Sequence, residues 1–400
     1  MARFSACTLV LVLIFSTIPT VSSFLPSSSP LGLSGHPALA RATLPSRGSR
    51  VAQGVCVGRV GVGRVVASSN AGETLNPADA AGEAFTVERR RKWALRRQEG
   101  LLAAAEEGTV ELSFIEAGPG PVEGGGGPVL ILHGLLGSSR NFVSWANGLS
   151  DALEKPRRII IPDLRNHGES AHSRSMGYVH MARDVVGLLD RLGIARCCVI
   201  GHSMGGKVAA TLALLHPERV ESVGILDIAP ADYAGSAPGP AAEQWKDIGM
   251  IIQSLNELPM HQVGTKKDAD AFLAKTISDP ILRAFALTNL VRREGKWEWK
   301  IGIKHINRNM GLIGGFDLGQ GLQEPASILG MTFPRDTYFV QGGNSHFIRS
   351  RHLPEIQALF PNFTLQTIRN CGHWVHSEDP KATIDRVRGF LDRPDPTPFR

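Results

Sequence analysis

The stretch CCVIGHSMGGK, residues 197–207, joins a short apolar run to glycines that surround a serine. An apolar run bounded by a turn signal is typical of a buried strand, and KVAATLALLHPERV, residues 207–220, has a helical pattern. A G-x-S-x-G segment between a strand and a helix is a nucleophile elbow, a sharp, strained turn that exposes the serine hydroxyl. Gly201 and Gly205 leave room for this turn, so the pattern predicts that Ser203 is a nucleophile.

Short apolar runs and helical patterns alternate on both sides of this turn. Five further runs predict strands, namely PVLILHG (128–134), RRIIIPDL (157–164), SVGILDIAP (222–230), DTYFVQGG (336–343) and NFTLQTIRNCGHW (362–374). Helical spacing of apolar residues marks MGYVHMARDVVGLLDRLGI (176–194) and PKATIDRVRGFLDR (380–393), and GTVELSFIEAG (108–118) alternates like a half-buried strand. Continuous apolar strands separated by helices predict an α/β fold with a mostly parallel sheet flanked by helices.

The alternation stops between residues 231 and 316. Helical patterns such as EQWKDIGMIIQSLNEL (243–258) and PILRAFALTNLV (280–291) fill this stretch, with a short strand-like segment at WEWKI (297–301). A helical insertion between two strands of a parallel sheet predicts a cap over the carboxyl edge of the sheet, where such sheets bind ligands. We therefore expect a core made of residues 108–230 and 317–400, with residues 231–316 as its helical cap.

The formal net charge of +6 belongs to the N-terminal segment. Residues 1–72 contain six arginines and neither Asp nor Glu, so the rest of the chain has 37 basic residues against 37 acidic ones. That remainder is formally neutral, which predicts no nucleic-acid partner.

The same segment has the layout of a targeting presequence. CTLVLVLIF (7–15) is followed by the small residues TVSS (20–23), as in a signal peptide, and this apolar run is too short for a stable membrane span. Phe24 and the Ser-, Ala-, Gly- and Arg-rich residues after it resemble the bipartite presequences of algae with complex plastids. We expect residues 1–72 to be a disordered signal plus transit peptide for a plastid, with a mitochondrial presequence or secretion as alternatives. Residues 73–107 are expected to form a linker and a lead-in helix.

Three cysteines lie outside this segment, namely Cys197, Cys198 and Cys371. Their number and spacing match neither a disulfide framework nor a metal-binding pattern such as C-x-x-C. We expect buried free thiols, and we expect neither a metal nor an organic cofactor.

A serine nucleophile needs a general base, because its hydroxyl is a weak nucleophile on its own. The segment NCGHWVHSE (370–378) follows the last predicted strand, where the base lies in chains with this elbow. His373 is therefore the expected base, and His376, three residues further on, is the weaker candidate.

The base in turn needs an acid that holds its tautomer and stabilises its charged form. The segment FVQGGNSHF (339–347) contains no Asp or Glu, and Asp336 stands at the wrong end of its strand. Asp227 ends the preceding predicted strand and is the expected acid, since neighbouring parallel strands end close together; a turn-capping role is its alternative. Asp163 and Arg165 are expected to tie their own loop together by hydrogen bonds.

The reaction also needs donors for the negative oxygen that forms when a carbonyl is attacked. HGLLGS (133–138) supplies a turn at the end of a neighbouring predicted strand. The backbone N–H groups of Leu135 and Met204 are the expected oxyanion hole, with His133 and Gly134 shaping the loop.

A phosphate-binding loop is the competing interpretation of these glycines. That loop requires the spacing G-x-x-x-x-G-K-[ST], whereas Lys207 is followed by Val208. Lys207 is instead expected to form an ion pair on the surface of its helix.

The segments HGLLGS, DLRNHGES, GHSMGGK with LDIAP, and GHWVH occur here in an order that resembles the α/β-hydrolase superfamily. More narrowly, the chain resembles the small bacterial acyl-esterases and the mitochondrial α/β-hydrolase-domain proteins, and LTNL (287–290) and GGNS (342–345) fit the same group. The resemblance covers residues 108–393. It implies the α/β-hydrolase fold with a helical cap and a catalytic triad of Ser203, His373 and Asp227.

The activity implied is that of a serine esterase, which cleaves carboxylic esters, thioesters or acyl lipids through an acyl-enzyme. The expected partner is a small-molecule ester or acyl substrate. A C–C hydrolase, a thioesterase or a cofactor-free peroxidase could use the same three residues. A binding protein that keeps the fold without turnover is a further alternative.

Overall fold

The computed structural model describes residues 108–120, 124–235, 239–316 and 331–393, together with the backbone of Gly58–Val60 and Gly63–Val65. Both strands lie within residues 1–72, so the expectation that this whole segment is disordered is wrong for them. The other residues of the predicted presequence lie outside the described residues, and so does the predicted lead-in helix up to residue 107.

A single large sheet occupies the centre of the described part of the chain. Its strands are β1 (Gly58–Val60), β2 (Gly63–Val65), β3 (Phe114–Ala117), β4 (Val129–Leu132), β5 (Ile159–Pro162), β6 (Cys197–His202), β7 (Val220–Leu226), β10 (Thr337–Gly342) and β11 (Phe363–Ile368), while β8 (Leu290–Arg293) and β9 (Lys296–Trp299) form a separate hairpin. The strand order in the large sheet is β1-β2-β11-β10-β7-β6-β4-β5-β3. Neighbouring strands from β2 to β5 in this order run parallel, whereas β3 and β1 are antiparallel to their neighbours.

Helices cover both faces of the sheet, and further helices lie in the segment between β7 and β10. The α-helices of the described ranges are α1 (Val143–Ala152), α2 (Tyr178–Arg191), α3 (Met204–Leu215), α4 (Pro240–Asn256), α5 (Lys266–Leu273), α6 (Pro280–Leu287), α7 (Ile303–Arg308), α8 (Met310–Gly314), α9 (Leu353–Leu359), α10 (Val375–Glu378) and α11 (Pro380–Leu391). Leu130 and Leu132 of β4 belong to the apolar cluster under α2 and α3, whereas Val129 and Ile131 belong to the cluster under α1 and α11. Both faces of this strand are buried, which is why its sequence is continuously apolar. The predicted mostly parallel, helix-flanked sheet is confirmed.

Between β7 and β10 the chain leaves the sheet and forms helices α4 to α8 with the β8–β9 hairpin. The strand-like segment WEWKI is largely β9, but its partner β8 was expected to be the end of a helix. Glu294 and Gly295 join the two strands with φ angles of 50° and 80°. Two residues with positive φ are typical of a two-residue hairpin turn, which the sequence Glu-Gly signals only weakly.

The prediction for Lys207 is wrong. Its side chain is buried, and its Nζ donates hydrogen bonds to the carbonyl oxygens of Gly314 (2.9 Å) and Gly315 (2.8 Å). Tyr178 donates from its hydroxyl to the neighbouring carbonyl of Ile313 at 2.5 Å, and the Tyr233 ring centre lies 4.6 Å from the Lys207 Nζ. Lys207 therefore faces the insertion and binds the carbonyl groups at the end of α8.

Burial lowers the pKa of Lys207 from its ordinary value of 10.5 to about 7. Between these two values the unfolded chain holds a proton on this side chain that the folded chain has released, so raising the pH stabilises the folded state. We expect the free energy of unfolding of the wild-type protein, relative to that of Lys207→Met, to rise by about 1.4 kcal/mol per pH unit above pH 7. Chemical denaturation of both proteins across this window measures the difference, and a difference that stays flat with pH contradicts the expectation.

Candidate active site

Ser203 stands between the last residue of β6 and the first residue of α3, with φ 53° and ψ −121°. This strained turn forms because glycines surround it. A Cβ atom on Gly201 would lie 2.2 Å from the Gly205 carbonyl oxygen, and one on Gly205 would lie 2.3 Å from the Leu132 carbonyl oxygen. The predicted strand, turn and helix around Ser203 are present, and they direct its side chain into a cavity.

The structure brings Ser203, His373 and Asp227 together. His373 follows β11, and its Nε2 lies 3.0 Å from the Ser203 Oγ. Its Nδ1 lies 2.8 Å from the Oδ2 of Asp227, which follows β7 and is fully buried. Because a carboxylate only accepts, Nδ1 carries the hydrogen and Nε2 is free to accept the Ser203 proton.

Asp227 is held by donors from the end of β10 and from the loop after it. In the sheet, β10 separates β7, the strand that precedes Asp227, from β11. The Gly342 N–H donates to its Oδ1 at 2.8 Å, and the Ser345 hydroxyl donates to its Oδ2 at 2.5 Å. These residues belong to the GGNS segment. The sequence shows that this segment lacks an acid, but it carries no signal that the segment supplies the donors for Asp227. Asp336, at the opposite end of β10, lies where it was expected.

The loop that carries His373 is held by a residue that sequence analysis did not single out. The Glu378 carboxylate accepts the N–H of Gly372 at 2.6 Å and the N–H of Trp374 at 3.1 Å. These are the residues immediately before and after His373. One carboxylate therefore binds the backbone N–H groups on both sides of His373.

Leu135 and Met204 line the same cavity as Ser203. Leu135 lies in the turn after β4, and Met204 is the first residue of α3, whose N–H has no partner within the helix. His133 is buried and neutral, since burial lowers its pKa. Its Nδ1 donates to the Gly134 carbonyl at 2.8 Å, and its Nε2 accepts the Leu164 N–H at 2.9 Å.

Asp163 and Arg165 hold their loop as predicted. The Asp163 carboxylate accepts the N–H of Ser139 at 2.6 Å and the N–H of Glu169 at 2.8 Å. Arg165 forms a buried ion pair with Asp184, in which Nε and Oδ2 are 2.6 Å apart.

His376, the weaker candidate for the base, has another position. Its ring stacks on Phe142 with centres 4.2 Å apart and meets the His202 ring edge-on at 4.5 Å. Burial lowers its pKa to about 3, so the ring is neutral and packs as an aromatic group. The Ser203 hydroxyl donates to the Nε2 of His373 instead.

The cavity beside Ser203 has a volume of about 280 Å³. Its walls are mainly apolar and come from both the insertion and the core; they include Trp245, Ile248, Ile251, Phe285, Phe347 and Trp374. An apolar cavity that ends at a serine hydroxyl can hold an acyl chain with its carbonyl at that hydroxyl.

Cys197, Cys198 and Cys371 are buried free thiols within the described ranges, as predicted. Those ranges contain no group of His, Cys, Asp and Glu side chains that could hold a metal ion. None of the helices described above has the length and apolar content of a bilayer span.

The sheet, the strained serine turn and the neighbouring histidine define the class of the serine-type α/β hydrolases. A family model described as the alpha/beta hydrolase fold matches residues 127–253. The chain is 35% identical over 270 residues to the mouse protein named sn-1-specific diacylglycerol lipase ABHD11, a match that covers 66% of this chain and 80% of the mouse protein. It is 29% identical over 265 residues to Esterase YbfF of Escherichia coli K12, covering 66% of this chain and 93% of that esterase.

A solved structure called marine microorganism esterase superposes with a TM-score of 0.61 and 32% sequence identity, covering 70% of this chain and all of the esterase chain. The chain belongs to the α/β-hydrolase family, and its relatives named here are lipase and esterase hydrolases.

Proposed function

We propose that the protein is a serine hydrolase that cleaves carboxylic esters, thioesters or acyl lipids through Ser203, His373 and Asp227. One observation carries the proposal: the His373 imidazole bridges the Ser203 hydroxyl and the Asp227 carboxylate, with distances of 3.0 Å and 2.8 Å. This is the arrangement that nucleophilic catalysis by serine needs.

In the proposed mechanism the Ser203 Oγ attacks the substrate carbonyl carbon while its proton passes to the His373 Nε2. Asp227 stabilises the imidazolium, and the N–H groups of Leu135 and Met204 bind the oxyanion. Collapse of the tetrahedral intermediate expels the alcohol or thiol, which takes the proton from His373. Water then attacks the acyl-enzyme and gives a proton to His373. The acid leaves, and the proton returns to Ser203.

The cavity supports an acyl substrate, because most of its wall is apolar. The mouse relative is named for action on diacylglycerol, so neutral glycerolipids belong in the substrate test. The purified protein would be assayed with p-nitrophenyl esters of increasing chain length, an acyl-coenzyme A thioester and a diacylglycerol. Turnover of at least one of these acyl compounds is expected. A folded protein that hydrolyses none of them and is not labelled by a fluorophosphonate would overturn the proposal.

Glu378 provides a test of how His373 is held. In Glu378→Gln the amide NH₂ faces a backbone N–H, so one of the two hydrogen bonds around His373 is lost. We expect kcat to fall about 10- to 100-fold, because small displacements of a catalytic group are costly. Substrate binding in the cavity should persist, with KM changing by less than about twofold.

The control for this prediction is Glu116→Gln, because Glu116 pairs with Arg158 on the surface through a contact of 2.6 Å. Initial-rate kinetics of both variants measure the effect. An unchanged kcat in folded Glu378→Gln would show that the loop keeps His373 in place without this carboxylate.

We also propose that residues 1–72 direct the protein to a plastid, on the basis of the apolar run, the absence of Asp and Glu, and Phe24 at the start of the second part. A fusion of these residues to a fluorescent protein is expected in plastids, and Phe24→Ala should block import whereas Phe4→Ala should not. Accumulation in mitochondria or secretion of the fusion would replace the proposal by the corresponding alternative.

A further inference from the structure

The turn that carries the Leu135 N–H contains a strained residue. Leu136 has a φ of 61°, in the left-handed region that glycine favours and that branched side chains rarely adopt. Such a conformation persists only where the surrounding structure enforces it. The hydrogen bond of this turn runs from the Gly137 N–H to the Gly134 carbonyl, with a distance of 3.0 Å. It does not involve the backbone N–H and carbonyl of Leu136, which can therefore bind other groups.

Two buried side chains, those of His167 and Asn289, bind both polar backbone groups of Leu136 and together form a clamp on this residue. The Leu136 N–H donates to the Nε2 of His167 at 3.2 Å. The Leu136 carbonyl accepts from the Nδ2 of Asn289 at 2.8 Å. His167 belongs to the loop after β5. Asn289 lies in the insertion between α6 and β8, 153 positions after Leu136 in the chain.

His167 is fixed as an acceptor. Its Nδ1 lies 2.9 Å from the Arg165 carbonyl, which can only accept, so Nδ1 carries the hydrogen and Nε2 presents its lone pair to Leu136. Burial lowers the pKa of His167 to about 3, so this state holds throughout the neutral range. The core therefore provides one half of the clamp on Leu136.

Asn289 provides the other half from the insertion. It is 4% exposed and belongs to the LTNL segment, which the proposed mechanism does not otherwise use. The hydrogen bond that it donates joins the segment between α6 and β8 directly to the turn beside the proposed oxyanion donor.

We propose that Asn289 is a positioning residue for the oxyanion hole. By its hydrogen bond it holds Leu136 in the left-handed conformation, and this directs the Leu135 N–H toward the oxyanion. The inference rests on the proposed function. It implies that the packing of the insertion against the core, through the hydrogen bond from Asn289 to Leu136, determines how tightly the transition state is bound. Without the Asn289 amide the turn relaxes, and the Leu135 N–H moves away from the developing charge. Ground-state binding in the apolar cavity is unaffected.

A trifluoromethyl ketone separates these two kinds of binding. The Ser203 Oγ adds to the carbonyl carbon of this ketone, and the Ser203 proton passes to His373. The π electron pair of the carbonyl moves to its oxygen, which becomes an alkoxide in the oxyanion hole. The matched methyl ketone is far less electrophilic and reports ground-state binding. Inhibition constants for both ketones, with kcat and KM for an ester, would be measured on the full chain.

The test variant is Asn289→Leu, which has a similar size and no donor. We expect the trifluoromethyl ketone to bind about 10- to 100-fold more weakly and kcat to fall by a similar factor, as when an oxyanion donor is misplaced. KM and the methyl ketone constant should change by less than about twofold. If Asn289→Leu does not fold, Asn289→Ser, whose side chain is too short to reach Leu136, is expected to behave in the same way.

Asn309→Leu is the matched control. Asn309 is also a buried asparagine of the insertion, and its Nδ2 donates to the Arg174 carbonyl at 2.7 Å, away from the oxyanion turn. This variant should leave the ratio of the two ketone constants unchanged. An equal loss for both ketones in Asn289→Leu, or no loss, overturns the role of Asn289. A wild-type protein that neither cleaves an ester nor binds the trifluoromethyl ketone overturns the proposed function, and this inference with it.

Discussion

Ser203→Ala is expected to lower kcat for ester hydrolysis by about 10⁴- to 10⁶-fold and to abolish labelling by a fluorophosphonate. The Ser203 Oγ is the group that His373 contacts at 3.0 Å, and its removal leaves the imidazole without a proton to accept. Alanine has no larger steric demand than serine at a φ of 53°, so the turn and the fold should persist. The remaining activity would come from substrate binding and the oxyanion donors alone.

The measurement is a comparison of initial rates and probe labelling between wild type, Ser203→Ala and Ser222→Ala. Ser222 is the control because its hydroxyl contacts the Cys198 Sγ at 3.2 Å in the sheet, away from the cavity. A folded Ser203→Ala protein that kept a kcat close to that of wild type would place the nucleophile elsewhere. The proposed mechanism would then be abandoned.

Asp227→Asn should have the second largest effect, a fall in kcat of about 10³- to 10⁴-fold. Asp227 is fully buried and accepts from His373, Ser345 and Gly342. Asparagine has a single acceptor oxygen, which the fixed donor of the Gly342 N–H requires at the Oδ1 position, so its NH₂ replaces Oδ2 and faces the His373 Nδ1. The imidazole hydrogen would then move to Nε2, where it blocks acceptance of the Ser203 proton.

Asp336→Asn is the matched control for this change, since Asp336 lies at the opposite end of β10. Its kcat should equal that of the wild-type protein. Thermal unfolding of both variants shows whether they are folded at the assay temperature. If Asp227→Asn keeps most of the activity while folded, the turn-capping role becomes the better account of Asp227.

The site residues differ in how far they could be predicted. Ser203 could be predicted from the G-x-S-x-G spacing, because the close approach of Gly201 to Gly205 within the turn is a local property of that segment. His373 and Asp227 were found from their positions at the ends of predicted strands, because parallel strands end at one edge of the sheet. Their predicted proximity therefore needed only the order of the elements.

Glu378, Ser345 and Asn289 could not be found in this way. Each acts on backbone groups or on another side chain, and any polar residue in a loop can do so. Their partners are decided by which loops meet in space. LTNL and GGNS were noted as segments, but nothing local assigns Asn289 to Leu136 or Ser345 to Asp227.

The amino-acid sequence by itself determined the periodic features of this protein: the buried parallel strands, the helices between them, and the turn at Ser203. These follow from local sterics and from the hydrophobic pattern, which each segment carries within itself. Tertiary structure alone decided the state of Lys207, which was expected on the surface of its helix. The insertion buries it beside the carbonyl groups at the end of α8. It also decided the clamp on Leu136. Burial and long-range hydrogen bonds depend on the packing of segments far apart in the chain. The sequence pattern of one segment does not indicate which other segment packs against it.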